Sequence, residues 1–140
     1  MSRAFSLAGL LRVRSVQERE AAQRLSRAAV EASQTQARDR HLRAALGDAG
    51  SGPQDGRTLA ALAASRAAGR ALLTELRVVA QLQEQTLSDA RAVHDTRRRE
   101  VRGLEKLAHA HLLEVRAEAL RAEQKELDEI ASRTRPGEDA

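Results

Sequence analysis

Four histidines, His41, His94, His109 and His111, are the natural first candidates for metal ligation or proton transfer in this 140-residue chain. Their spacing argues against either role. His109 and His111 are two residues apart, which on a helix turns them to different sides. His94 stands next to Asp95 and meets the same objection. With no cysteine, the chain has no thiolate nucleophile, no disulfide framework and no Cys-based metal site. It also has no P-loop, no glycine-rich turn after a strand and no serine-centred elbow. The histidines therefore read as solvated or seam residues. The sequence predicts a non-enzymatic protein with no catalytic residue, no metal and no cofactor.

Basic residues are the next candidates. Arg97, Arg98 and Arg99, with Arg91 and Arg102 nearby, form the most basic stretch, and residues 1–46 and 57–103 both carry an excess of arginine over acid. Nucleic acid or anionic lipid attracts such charge. The interleaved aromatics that stack single strands are missing, however, and Asp89, Asp95 and Glu100 dilute the patch. A solvated face, or a surface for an acidic protein partner, fits better; no nucleic acid is expected. The net charge is only +4, from 24 basic and 20 acidic side chains.

The elements that position these residues follow from composition. Apolar residues make up 41% of the chain, but 28 are Ala and 19 are Leu, with one Ile and Phe5 as the only aromatic. An alanine buries about one methyl group, so this set does not fill a thick interior at native density. Strand-favouring residues are scarce and strong helix formers dominate. The expected class is all-α: two long helices forming an antiparallel coiled-coil hairpin. Gly47, Gly50, Gly52, Pro53 and Gly56 mark a loop at 47–56. Helix 1 is expected over about 2–46 and helix 2 over about 57–133, with Asp55 or Thr58 as its cap and a tail at 134–140. At about 1.5 Å per residue these helices are about 65 and about 115 Å long, and they make a single coiled-coil domain. The inequality requires either a break in helix 2 or a C-terminal end that extends alone; a break near Gly69 is favoured. No apolar run approaches the length of a membrane span, and the N-terminus does not read as a signal peptide.

Alternating steps of three and four trace the seam. On helix 1 they fall on Ala4, Leu7, Leu11, Arg14, Glu18, Ala21, Leu25, Ala28, Ala32, Thr35, Asp39, Leu42 and Leu46. On helix 2 they run from Leu59 and Leu62 through Arg66, Gly69, Leu73, Leu76, Ala80, Gln83, Leu87, Ala90, His94, Arg97, Val101, Leu104 and Ala108. Beyond that the apolar register jumps to Leu113, Leu120, Leu127 and Ile130, a local change of winding. Small residues and polar interruptions make this a narrow seam. In a hairpin the string F-S-L-A-G-L-L-R-V-R from Phe5 and the string E-Q-K-E-L-D-E-I-A-S-R ending at Arg133 are expected to meet at one blunt tip.

Those two strings, with Glu18 and the long Arg/Ala/Glu/Gln helix between them, resemble the FliJ family of flagellar type III export proteins. The resemblance covers nearly the whole chain. It implies a coiled coil similar to the central stalk of rotary ATPases. The end carrying both termini would sit in the pore of the hexameric flagellar export ATPase, promoting ring assembly and hydrolysis. Carried over by motif, the ring-facing residues are Phe5, Leu7, Leu10, Leu11, Arg14, Gln124, Glu126, Leu127, Ile130 and Arg133. The hairpin side would contact the cytoplasmic domain of the export-gate membrane protein, and the molecule would also handle export chaperones. The family's gate-binding patch often includes aromatics, which this chain lacks; Leu42, Leu46, Leu72 and Leu76 are its apolar candidates. The implied location is cytoplasmic, peripheral at the inner face of the cell membrane, with no direct membrane span. Three alternatives stay open: the similarly shaped injectisome stalk protein, a basic helical module binding DNA or anionic membrane, and a plain structural coiled coil.

Overall fold

The computed structural model describes residues 4–49 and 55–134. The centre of the expected loop and the tail beyond Thr134 lie outside them. Two helices account for nearly all of it, α1 (Ala8–Asp48) and α2 (Gly56–Thr134), and no strand occurs among the described residues. The α2 start is capped by Asp55. Its Oδ1 accepts the Thr58 backbone N–H at 2.8 Å and the Thr58 hydroxyl at 2.5 Å, satisfying donors that a first turn leaves open. Helix α1 begins later than the composition suggests. A turn comes first, in which the Ala8 N–H donates to the Phe5 carbonyl at 3.1 Å.

The chain forms two compact units, one built from Glu18–Thr96 and the other from Met1–Gln17 with Arg97–Ala140. In the Glu18–Thr96 unit the helices pack antiparallel along the predicted three-four ruler. Ala21, Ala28, Thr35 and Leu87 are buried, and Leu25, Ala32, Leu42, Leu46, Leu62, Leu73, Leu76, Ala80 and Ala90 are half-buried. Leu46, near the α1 end, meets Gly69, while Glu18 meets His94. Helix α2 runs from Gly56 to Thr134 through Gly69, where a break or kink was expected, with no interruption of the helix. The reason is local: a Cβ built on Gly69 would lie 2.5 Å from Leu46 Cδ2 and 3.1 Å from its Cγ and Cδ1. Glycine is here to admit a neighbouring side chain, not to end the helix.

The second unit has its own seam, with Leu11 and Arg14 on α1 and Val101, buried Leu104, Ala108, His111 and Val115 on α2. This corrects the expected register jump. Leu113, Leu120, Leu127 and Ile130 are 51, 66, 54 and 53% exposed and take no part in the seam. Phe5, before α1, stands against His111, and Ala4 and Ser6 line a pocket with His111, Glu114, Val115 and Glu118, where the described N-terminal segment ends. Residues 118–134 of α2 continue as a helix exposed at every position.

Candidate partner-binding site

The two end strings, both in the unit formed by residues 1–17 and 97–140, are not brought together. Phe5 packs on His111 with ring centroids 5.6 Å apart and planes tilted by 40°, a geometry worth about 0.5–1.5 kcal/mol beyond area burial. Leu11 is half-buried in the seam. Arg14 Nη1 donates to Glu100 Oε2 at 3.2 Å and to Gln17 Oε1 at 3.2 Å, and Arg97 reaches the same Glu100 oxygen at 3.1 Å. These side chains are about one-third exposed, so each pair contributes about 0.2–1 kcal/mol. Leu7, Leu10 and Val13, 36, 43 and 53% exposed, keep more of their surface. The string from Phe5 to Arg14 therefore covers α2 around 100–111, and the blunt tip is replaced by a stepped end. The step arises because Phe5 pairs with His111, a full thirteen positions before Gln124, which at about 1.5 Å per residue is roughly 20 Å.

The C-terminal string stands clear. Gln124, Glu126, Leu127, Ile130 and Arg133 are all exposed. Gln124 Nε2 donates to Asp128 Oδ1 at 3.0 Å, and the Ser132 and Thr134 hydroxyls donate back to the Asp128 and Ile130 carbonyls. These are contacts within one helix. Leu127 and Ile130, 54 and 53% exposed, are the large apolar side chains of this string and lie one turn apart.

The four leucines proposed as a gate patch lie in the Glu18–Thr96 unit and do not form an exposed cluster. Leu42, Leu46 and Leu76 are half-buried in the seam, where the three-four ruler puts them; only Leu72, 50% exposed, faces solvent. What the sequence reading missed lies beside them, a groove of about 370 Å³ lined by Thr35, Asp39, Arg40, Arg43, Leu76 and Arg77, with Gln36 and Ala80. Asp39 accepts the Arg43 guanidinium at 2.7 and 3.3 Å. That bond, with the further charge of Arg77, holds the Asp39 carboxyl below the usual carboxylate range. Among the described residues Arg40 and Arg77 make no ion pair. The signal was present in the ruler, where the polar pair Thr35 and Asp39 is followed four residues on by Arg43.

The histidines divide as helical spacing demands. His41 and His109 are exposed, and His111 stacks on Phe5. His94 Nε2 lies 3.0 Å from Glu18 Oε1 inside the seam, with the two side chains 16 and 26% exposed. Both residues sit on the ruler, so their meeting was legible once the helices were paired. No group of three or more His, Cys, Asp or Glu side chains able to hold a metal ion occurs among the described residues. Nor, among these residues, is any helix long and apolar enough to cross a membrane.

Comparison with known proteins adds one finding. No curated protein and no solved structure matches the chain. A family model described as Flagellar FliJ protein matches residues 3–135, nearly the whole sequence. The chain therefore belongs to the flagellar FliJ family, and is a coiled-coil protein of flagellar export.

Proposed function

We propose that this chain is a non-enzymatic stalk in the hexameric flagellar export ATPase, coupling the ring to the cytoplasmic domain of the export-gate membrane protein and to export chaperones. It would work in the cytoplasm at the inner face of the cell membrane. The observation that carries the reading is the bare helix at 118–134, whose Leu127 and Ile130 face solvent beside Glu126 and Arg133. A single helix is about 10–12 Å across and two are about twice that, a slender profile suited to a ring pore. Phe5, Leu7, Leu10, Leu11 and Arg14 serve this end mainly by stiffening α2 behind it; Gln124, Glu126, Leu127, Ile130 and Arg133 make the contact. Weak, screened charges around an apolar pair suit a shaft that addresses several similar subunits in turn. For the gate, Leu72 and the arginine-rimmed groove are the accessible parts of the patch, with Leu42, Leu46 and Leu76 holding the helices beneath.

The test is hydrolysis by the cognate ATPase with Leu127→Ala/Ile130→Ala and with residues 121–133 deleted. Both positions are exposed, so helicity is expected to survive the substitutions and stimulation to fall at least tenfold. Full stimulation by both variants removes the assignment of this end to the ring.

A further inference from the structure

The exposed face of α2 has a pattern of its own. Leu113 stands two residues from both His111 and Val115, about 200° round the helix from each seam position. Starting there, the three-four steps fall on Leu113, Ala117, Leu120, Gln124, Leu127 and Ala131, and backwards on Ala110 and Lys106. Leu113, Leu120 and Leu127 on this line are among the exposed large hydrophobics. The same face carries a shallow groove of about 410 Å³ lined by Arg102, Glu105, Lys106, His109, Ala110 and Leu113. A half-apolar helical stripe that none of the described residues covers has the pattern of a coiled-coil seam open to a second helix.

The flanking charges decide which helix that is. In a parallel pair of copies, Arg116 would face Arg121 and Glu123 would face Asp128, like charges on both sides. Reversing the second helix so that Ala117 lies opposite Leu120 changes every one of these contacts. Glu114 then faces Arg121 of the other copy, and Arg116 faces Glu123, each pair occurring twice by symmetry. The same register puts Leu127 opposite Ala110 and Ile130 opposite His109, so that both apolar side chains enter the groove beside Leu113. Among the described residues none of Glu114, Arg116, Arg121 and Glu123 is held in an ion pair of its own chain. Charge, apolar spacing and the groove agree on one arrangement.

We propose that a second copy of this chain docks antiparallel on the outer face of α2, centred between Ala117 and Leu120, with Leu127 of each copy seated in the groove of the other. The pairing does not rest on the ring assignment, but it covers Leu127 and Ile130, so ring and second copy would compete for them. The interface is one short helix pair, and the dimer is correspondingly weak and concentration-dependent.

Sedimentation equilibrium of the full chain from about 5 to 500 μM tests this, with circular dichroism to follow helicity. A monomer–dimer equilibrium is expected, shifted toward monomer by added salt. Arg116→Glu/Arg121→Glu makes every flanking pair repulsive and should raise the dissociation constant at least tenfold. Adding Glu114→Arg/Glu123→Arg to that variant restores opposite charges to both antiparallel pairs, whereas in a parallel pair positions 116 and 121 stay like-charged, so association should recover in the antiparallel register. A wild-type chain that stays monomeric throughout overturns the proposal, as does a fourfold variant that fails to recover dimer while keeping its helicity.

Discussion

Gly69 and Gly103 are both interior to α2, yet alanine should act oppositely at the two sites. Replacing a helix-interior glycine with alanine stabilises by about 0.8–1 kcal/mol through backbone entropy. At Gly103 an added Cβ meets nothing within 4 Å, so the gain is expected in full, a rise in Tm of roughly 2–6 °C for a chain of this size. At Gly69 the same Cβ would lie 2.5 Å from Leu46 Cδ2 and 3.1 Å from both Cγ and Cδ1. All three carbons of the branch are too close, so rotating the end of the side chain does not clear the clash. Leu46 must swing away and surrender its packing. For a half-buried leucine that loss is about 1–1.5 kcal/mol, half the value of full burial. Gly69→Ala should therefore be neutral to about 1 kcal/mol destabilising. The decisive measurement is a double-mutant cycle by urea and thermal unfolding. On a Leu46→Ala background the obstruction is gone, and Gly69→Ala should recover the gain of about 1 kcal/mol seen at Gly103, giving a coupling of about 1–2 kcal/mol. If Gly69→Ala raises Tm on the wild-type background as much as Gly103→Ala does, the close approach does not hold the helices together there.

Three further outcomes follow from the same geometry. Phe5→Ala removes the ring on His111 and should cost about 1–2 kcal/mol, read as faster amide exchange over residues 8–14 with exchange in the Glu18–Thr96 unit unchanged. His94→Leu alone leaves Glu18 without its partner in the seam and should destabilise, whereas Glu18→Leu/His94→Leu together should equal or exceed wild-type stability in thermal unfolding, since a buried polar pair seldom outperforms apolar packing. Asp55 has its carboxyl held below the ordinary value by the Thr58 hydroxyl and amide bonds. Its contribution is thus fully present above the unfolded value near 4 and lost as pH falls through the lower folded one. The Thr58 amide resonance should move across that acid window in wild type and stay still in Asp55→Asn, which caps without titrating.

The seam was legible because one rule, alternating steps of three and four, governs both helices while they face each other. It placed Ala21, Ala28 and Leu87 in the interior and put Glu18 and His94 on facing lines before any pairing was known. It misled at two places, for two physical reasons. Gly69 looks like a helix breaker in one dimension; only the neighbouring Leu46 reveals that its missing Cβ is occupied space. The shift from Ala108 to Leu113 looks like a change of winding, but a sequence read singly has one axis of periodicity and cannot say that two stripes lie on opposite sides of one helix. The tip failed for a related reason. Where α1 starts fixes how far α2 overhangs, and that depends on Phe5 settling on His111, an aromatic contact that helical spacing does not encode. The arginine-rimmed groove escaped because its members, Asp39, Arg43 and Arg77, come from both helices.

The distribution of side-chain size then says what the exposed stripe is for. The buried apolar residues are Ala21, Ala28, Leu87 and Leu104, with Leu11, Leu25, Leu42, Leu46, Leu62, Leu73 and Leu76 half-buried beside them, while Leu82, Leu120, Leu127 and Ile130 stand more than half exposed. A leucine fully buried from water gains about 1.5–3 kcal/mol and an alanine far less, so the exposed leucines leave the larger part of that gain unrealised in the chain alone. Small residues in the seam let two helices approach closely and keep the paired section narrow. Large ones outside gain burial only where a second molecule covers them. On this account Leu120→Ala or Leu127→Ala should leave the unfolding free energy of a dilute sample within about 1 kcal/mol of wild type while weakening association with any partner that covers α2 beyond Val115. A large loss of monomer stability at either position would mean that the stripe belongs to the chain's own core after all.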